Sequence, residues 1–213
     1  FELKEFERMR LFAIIAAVSA VTGIAAADLT NPLVPEWRGD AGTLYAGWDS
    51  FTSADGGANA PEAGSGFDVY NFGPGAVIAS SGNIYAAGGP LDIHIYSNVE
   101  IAASEAVLSF SFLGSPIDTS DVRAFFLGQY IDPIESELRA LEDFGGFVKE
   151  TWSFTYDFSN VGGVSSTVAF FFGSGDLTNS SLDAVSVDVL SVPAPGAIAL
   201  LGIAGLTSRR RRG

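Results

Sequence analysis

Five stretches of this chain alternate apolar and polar residues with a period of two, and that rhythm constrains the fold more than any other feature. Leu91, Ile93 and Ile95 face one way, and Asp92, His94 and Tyr96 the other. Leu108, Phe110 and Phe112 alternate with Ser109 and Ser111. Trp152, Phe154, Tyr156 and Phe158 alternate with Thr151, Ser153, Thr155 and Asp157. Val168, Phe170 and Phe172 continue the pattern, as do Val185, Val187 and Val189 around Ser186 and Asp188. Successive side chains of a strand point to opposite faces, so such alternation predicts antiparallel sheets with one face buried and one wet. Less regular strand signals lie at 67–72, 76–80, 83–86 and 122–130, with Gly, Asn and Ser turns between. About nine short strands of this kind predict a mostly β chain, a jelly-roll-like antiparallel β-sandwich. Leu108, Phe110, Val185 and Val187 are expected in its core.

Two regions depart from the rhythm. Residues 28–66 are rich in Gly, Ala, Asp and Pro and read as an irregular lead-in, with short strands at 43–46 and 49–52. Asp132-Pro133-Ile134-Glu135 has the form of a helix start, with Asp as N-cap, Pro at N1 and Glu at N3. Ile134, Leu138 and Leu141 follow at helical spacing, and Gly145 can close the segment. This predicts one short inserted helix over 133–143.

Composition excludes several chemistries. The chain has no Cys, so it has no disulfide framework, thiolate zinc site or cysteine nucleophile. A single His excludes a multi-histidine metal site. With 11 basic and 25 acidic residues in 213, the net charge of -14 argues against nucleic acid as a partner. No Gly-x-Ser-x-Gly elbow accompanies His94. Carboxylates are so numerous that spacing selects no glycosidase pair. The expectation is a non-enzymatic protein.

The two ends read as addresses. Arg10 precedes an apolar run from Leu11 to Val18, continued to Ala25 and Ala27. A basic residue, a short apolar stretch and an Ala-x-Ala close describe a secretory signal peptide. Cleavage is expected after Ala27, with Ala26 as an alternative, and Met9 as the start of the peptide. An uncleaved anchor is the competing reading, although the run is shorter than the ~20 residues of a spanning helix. At the other end, Pro193-Ala194-Pro195-Gly196 is followed by a helix-compatible apolar stretch from Ala197 to Leu206 and by Arg209, Arg210, Arg211 and Arg212. The prolines set an extended hinge. The arginines fit the cytoplasmic side of a membrane. A basic tail for acidic polymers accounts for the arginines but not for the apolar run before them. The organisation expected is therefore residues 1–27 as upstream residues and a signal helix, 28–192 as a β-sandwich passenger, and 193–213 as a hydrophobic sorting helix with its flanks. The passenger holds four basic and 22 acidic residues.

Pro-x-Pro, a short Gly/Leu/Ala helix and a terminal Arg cluster resemble the PEP-CTERM sorting signal of exported bacterial proteins. The resemblance covers about twenty residues and departs at Ala194, where that family carries Glu. It implies export by the secretion machinery, transient membrane contact through the termini, and recognition by an exosortase that removes the tail. It also implies a final location outside the cell or on the surface of a Gram-negative bacterium that makes exopolysaccharide. Trp37-Arg38-Gly39-Asp40-Ala41-Gly42-Thr43-Leu44-Tyr45, with Trp48 and Phe51, is similar to the opening of an uncharacterised group of such proteins. Ser181-Leu182-Asp183-Ala184-Val185-Ser186-Val187-Asp188 resembles the last strand of that group and of jelly-roll carbohydrate-binding modules. Those modules often hold a structural calcium at such a strand, which implies Asp183 as a ligand, with Asp176 and Asn179 before it. Hard oxygen donors are the abundant ligand type here, in keeping with calcium.

Two functional expectations follow. The first is a displayed structural or adhesive protein of the cell surface or extracellular matrix. The second is a carbohydrate-binding module for exopolysaccharide, possible through the polar row Asp92, His94 and Tyr96 and through Trp37 and Trp48, which lie in the irregular lead-in.

Overall fold

The computed structural model describes residues 29–115, 117–161 and 164–191. The expected signal helix (with Ala25 and Ala27) and sorting helix (with Pro193 to Gly196 and Arg209 to Arg212) lie outside the described residues. What is described is a β-sandwich of two antiparallel sheets. In the larger sheet, β10 (Glu135–Asp143), β11 (Val148–Asp157), β7 (Ala103–Gly114), β13 (Ser180–Ser191), β1 (Thr43–Trp48) and β2 (Ala63–Gly64) lie side by side in that order. There, β5 (Ile84–Tyr85) also pairs with β13, and β4 (Val77–Ile78) with β5. The five-stranded sheet runs β3 (Phe67–Asn71), β6 (Asp92–Ser97), β12 (Val168–Gly173), β8 (Arg123–Phe126), β9 (Gln129–Ile131). From β6 onward the chain crosses between the sheets five times, and only β8–β9 and β10–β11 are hairpins within one sheet, so the two sheets close opposite sides of one core.

That core is made by the apolar halves of the alternating stretches. Leu108, Phe110, Val185 and Val187 are fully buried, as are Ile93, Ile95, Phe154, Tyr156 and Phe170. Phe110 of the larger sheet stacks on Phe172 of the smaller, with ring centroids 4.2 Å apart and planes within 11°. Phe154 stacks against the same Phe110, and Tyr156 meets Phe170 edge to face. Fully burying each such ring removes a large apolar area from water and is worth about 1.5–3 kcal/mol.

Three sequence expectations are corrected here. Residues 133–143 form no helix; Glu135–Asp143 is an edge strand paired in register with β11 from Glu135↔Thr155 to Asp143↔Val148. A bulge between Leu138 and Ala140 shifts the phase, so the three-residue step from Leu138 to Leu141 mimics helical spacing. Ile134, Leu138 and Leu141 are exposed, so no apolar helix face exists to bury. Gly145 and Gly146, at φ 73° and 122°, make the tight hairpin turn into β11 instead of a helix cap. Second, residues 49–52 are loop rather than strand, held by the side chain of Asn59, whose Oδ1 accepts from the Thr52 and Ser53 amides at 2.8 Å.

Third, the polar face of the larger sheet is not wet. Ser109, Ser111, Thr151, Ser153 and Ser186 are all buried. The segment from Thr30 to Arg38 is tied to this sheet strand by strand. Thr30 donates to Glu142 and Asn31 to the Arg139 carbonyl. The Leu33 amide donates to Ser153 Oγ, and Trp37 Nε1 to Glu105. Arg38 grips Asp188 with two hydrogen bonds of 2.5 Å and stacks over Tyr45. Small hydroxyl side chains let the backbone of this strap lie close to the sheet.

Burial pushes the Asp188 carboxyl above the ordinary aspartate range, and Arg38 pulls it back. A group whose folded pKa is raised holds its proton more tightly folded than unfolded, so its contribution to stability falls as pH rises through the folded value. Arg38→Ala leaves a buried, uncompensated carboxylate. It is expected to cost about 3–5 kcal/mol at neutral pH, and to cost less in mild acid, where Asp188 takes up its proton. Urea unfolding at the two pH values measures this, and adding Asp188→Asn should remove the pH dependence of the loss.

Candidate functional site

The outer face of the five-stranded sheet is set by register. Tyr70, His94, Phe171 and Arg123 stand in one row across β3, β6, β12 and β8. Asp68, Tyr96, Ala169, Phe125 and Tyr130 form the row on one side of it. On the other side Asp92 pairs with Gly173, and the Phe72 amide donates to the Asp92 carbonyl. The result is a nearly continuous aromatic surface. Phe72 and Phe171 meet the His94 ring edge-on at 4.8 and 4.7 Å, and Tyr130 lies 5.9 Å from Phe171. Phe72, Tyr96 and Tyr130 remain exposed (47%, 38% and 63%), a concentration of aromatic surface that a folded chain ordinarily buries.

His94 is the fixed point of this face. Its Nε2 lies 2.9 Å from Asp92 Oδ1 and its Nδ1 2.8 Å from the Tyr96 hydroxyl. The three residues alternate along one strand, which is the spacing that brings their side chains onto one face. Both ring nitrogens are engaged by neighbours, so His94 holds Asp92 and Tyr96 in place on the face. Burial raises the Tyr96 phenol above its ordinary range, with a further push from the Asp92 charge.

At one end of the face the rings open into a cleft of about 550 Å³. Phe72, His94, Phe171 and Tyr130 line it, together with the Pro90–Leu91 turn and the acids Asp92, Asp118 and Asp121. Buried Asn71 shapes its rim. Its Oδ1 accepts from the amides of Gly73 and Asp92 at 3.1 and 3.0 Å, and its Nδ2 donates to the Ala54 and Gly73 carbonyls. Buried Ser174 ties the other side, accepting from the Leu91 amide and donating to the Leu177 carbonyl, both at 2.8 Å. A Cβ on Gly73 would fall 2.0 Å from the Pro90 carbonyl oxygen, and one on Gly173 2.3 Å from that of Leu91. Glycine is therefore required at both places for the rim to close this tightly.

The cations of this region are already engaged. Arg123 pairs with Asp121 and lies over the Tyr130 ring at 5.1 Å. Asp118 caps the short 3-10 turn Thr119–Asp121 and is held below the ordinary aspartate range by the Ser120 hydroxyl and amide.

Of the residues expected from sequence, Asp92, His94 and Tyr96 do come together on an exposed face. The two tryptophans do not join them. Trp48 is fully buried in the core and donates to the Asn59 carbonyl at 2.9 Å, closing the loop above it. Trp37 belongs to the strap on the larger sheet, with its Nε1 on Glu105. Asp183 sits in a bulge of β13, where Lys149 lies 2.6 Å from one carboxylate oxygen and Asn83 donates to the other at 2.8 Å. Ser111 also donates to it. Asn179 accepts from the Tyr85 hydroxyl, and Asp176 is exposed in its loop. Among the described residues no group of three or more His, Asp or Glu side chains that could hold a metal is gathered. Asp183 thus reads as the partner of Lys149.

Phe72, Phe171, Tyr130, Arg123, Asp118, Asn71 and Ser174 were not singled out by sequence. Phe171 was within reach: in Phe170-Phe171-Phe172 the flanking rings belong to the core, and the two-residue period puts the middle ring outside. Comparisons with family models, with curated proteins and with solved structures give no match for this chain.

The electrostatic part of this geometry is measurable. Asp92→Asn removes the charge that opposes the Tyr96 phenolate, so the Tyr96 titration should move down toward the ordinary tyrosine range. An ultraviolet pH titration, with Tyr96→Phe to assign the transition, detects the shift. An unchanged transition would mean that burial alone sets it.

Proposed function

We propose that this chain is an exported, non-enzymatic binding module that takes saccharide on the outer face of its five-stranded sheet. The observation that carries the reading is the aromatic surface made by exposed Phe72, Tyr96 and Tyr130 around half-buried Phe171, beside an open cleft. Sugar rings present flat C–H faces that pack on aromatic rings, and their hydroxyls need hydrogen-bonding groups alongside. Asp92, Tyr96 and Asp118 supply those groups here.

The order of strands supports a jelly-roll assignment. β1-β13-β7-β11 in one sheet and β6-β12-β8-β9 in the other is the double Greek-key arrangement, with β2, β3 and β10 added at edges. The termini support the rest of the proposal. The signal-like segment 1–27 directs export, and the Pro-x-Pro, apolar and arginine segment 193–213 directs exosortase processing. The module then stands on the cell surface or in the extracellular matrix, where exopolysaccharide is the natural ligand and adhesion or scaffolding the role.

Titration calorimetry of the chain against neutral and charged oligosaccharides tests the binding reading. Saturable binding is expected, and Phe171→Ala should weaken it about tenfold, near 1.4 kcal/mol, without unfolding the protein. Binding that survives loss of Phe171 and Tyr130 together places the ligand elsewhere. For the address, deletion of Gly196 to Gly213 is expected to leave the circular dichroism of the sandwich unchanged and to alter the final location of the protein. Unfolding on truncation would make the tail part of the domain and end the sorting reading.

A further inference from the structure

The charges around the cleft narrow the class of saccharide, an inference that rests on the binding reading above. All four basic residues of the described chain are committed to carboxylates. Arg38 pairs with Asp188, Arg123 with Asp121, Arg139 with Glu137 and Lys149 with Asp183. An anionic ligand entering the cleft therefore meets no unpaired lysine or arginine among the described residues. It meets Asp92 and Asp118, which have neither Lys nor Arg as a partner, in a chain of net charge -14. The walls between those acids are aromatic. Phe72, Phe171 and Tyr130 present ring faces and edges to the same space. Ring faces attract cations through their quadrupole, and carboxylates beside them add a direct charge. The cleft thus offers a cation and a sugar ring complementary surfaces side by side, and meets a uronate or a sulfated sugar with three carboxylates, Asp92, Asp118 and Asp121, against the one guanidinium of Arg123, which is already paired with Asp121.

We propose that the ligand of this cleft is an amine-bearing glycan, a polymer of hexosamine units with free amino groups, whose rings lie on Phe171 and Phe72 and whose ammonium groups reach Asp92 and Asp118. Carboxylates at the cleft mouth select for the amine, and the rings select for the sugar. Asp118 is suited to this part because the Ser120 amide and hydroxyl both donate to its Oδ1, which fixes the carboxylate while the residue stays exposed. Asp92 is fixed in the same way by His94.

The experiment is calorimetry of the full chain with a glucosamine oligomer, its fully N-acetylated counterpart, an oligoglucuronate and a neutral glucan oligomer. The glucosamine oligomer is expected to bind about five- to tenfold more tightly than the acetylated one, with a preference that shrinks as salt is raised. The oligoglucuronate should not bind. Asp118→Asn, and separately Asp92→Asn, should weaken binding of the glucosamine oligomer by a larger factor than binding of the acetylated one, and so reduce the preference for the free amine. Glu135→Gln, the same charge change on the edge strand of the other sheet, should leave the preference intact. If Glu135→Gln reduces it equally, the attraction is that of the whole acidic molecule for a polycation, and the assignment to the cleft falls. Equal binding of both hexosamine oligomers, or saturable binding of the oligoglucuronate, overturns the amine inference while the saccharide reading stands. If none of the four oligomers binds a chain shown to be folded, the saccharide reading falls and the amine inference with it.

Discussion

The strand β12 is the constraint on which the rest of this molecule depends. It lies at the centre of the five-stranded sheet, between β6 and β8, so every side chain on it is committed to one face or the other. Phe170 and Phe172 point inward, and Phe172 stacks on Phe110 to couple the two sheets. Phe171 points outward and gives the outer aromatic face its central ring, touching His94, Tyr96 and Tyr130. A shift of register by one residue would exchange the two sets, emptying the core and the face together. The Phe110–Phe172 stack therefore fixes the position of Phe171 without contacting it. Stability and the candidate site share one specification.

The two sheets use their outer faces differently, and residue size accounts for it. On the larger sheet that face carries Ser109, Ser111, Thr151, Ser153, Ala184 and Ser186, side chains too small to cover a sheet but able to admit the strap from Thr30 to Arg38. The strap is anchored at its end by the Arg38–Asp188 pair, a nearly buried charge matched by a bidentate cation. On the five-stranded sheet the corresponding positions are mostly Tyr, Phe and His, with Asp68, Asp92, Ala169 and Arg123 among them. No backbone can lie flat on rings of that height, and the rings themselves form the surface. The free aromatic face is thus a consequence of where the chain placed its large and its small residues.

Much of this was legible in the sequence, for reasons tied to particular residues. The clean alternation at 91–96 identified a β-strand, its buried side and the Asp92, His94, Tyr96 row, because period two leaves a single solution when one set is uniformly apolar. The same logic placed Leu108, Phe110, Val185 and Val187 in the core. It failed at 133–143, where a bulge removed the period and a Pro-initiated, Leu-spaced edge strand took on the outline of a helix. It failed for Ser109, Ser111 and Ser153, because polarity read as exposure and nothing local announces a covering strap. Trp48 was misplaced for a related reason. Its neighbours Gly47 and Asp49 carry no alternation, and its burial comes from β1 pairing with β13 at a distance of well over a hundred residues. The cleft was not legible because its rim is assembled by Asn71 and Ser174 from backbone groups far apart in the chain.

Charge completes the picture, since the acidity of the whole chain and the character of the cleft draw on the same residues. Residues 28–192, with 22 acidic and four basic side chains, carry a net negative charge that makes copies of the chain repel one another. Uniform acidity alone would confer no selectivity, because exposed carboxylates scattered over a surface act weakly and are screened by salt. Selectivity requires that a few of them be held still beside a surface that recognises something else. Asp92 and Asp118 meet that condition: each is fixed by a hydrogen bond from its own neighbourhood and each borders a ring. Asp183 does not, because Lys149 neutralises it, and Asp188 does not, because Arg38 does. The four cations thus do more than balance charge in the fold. By pairing at Asp188, Asp121, Glu137 and Asp183, they leave Asp92 and Asp118 as cleft carboxylates with neither Lys nor Arg as a partner, which is where an incoming ammonium group gains most.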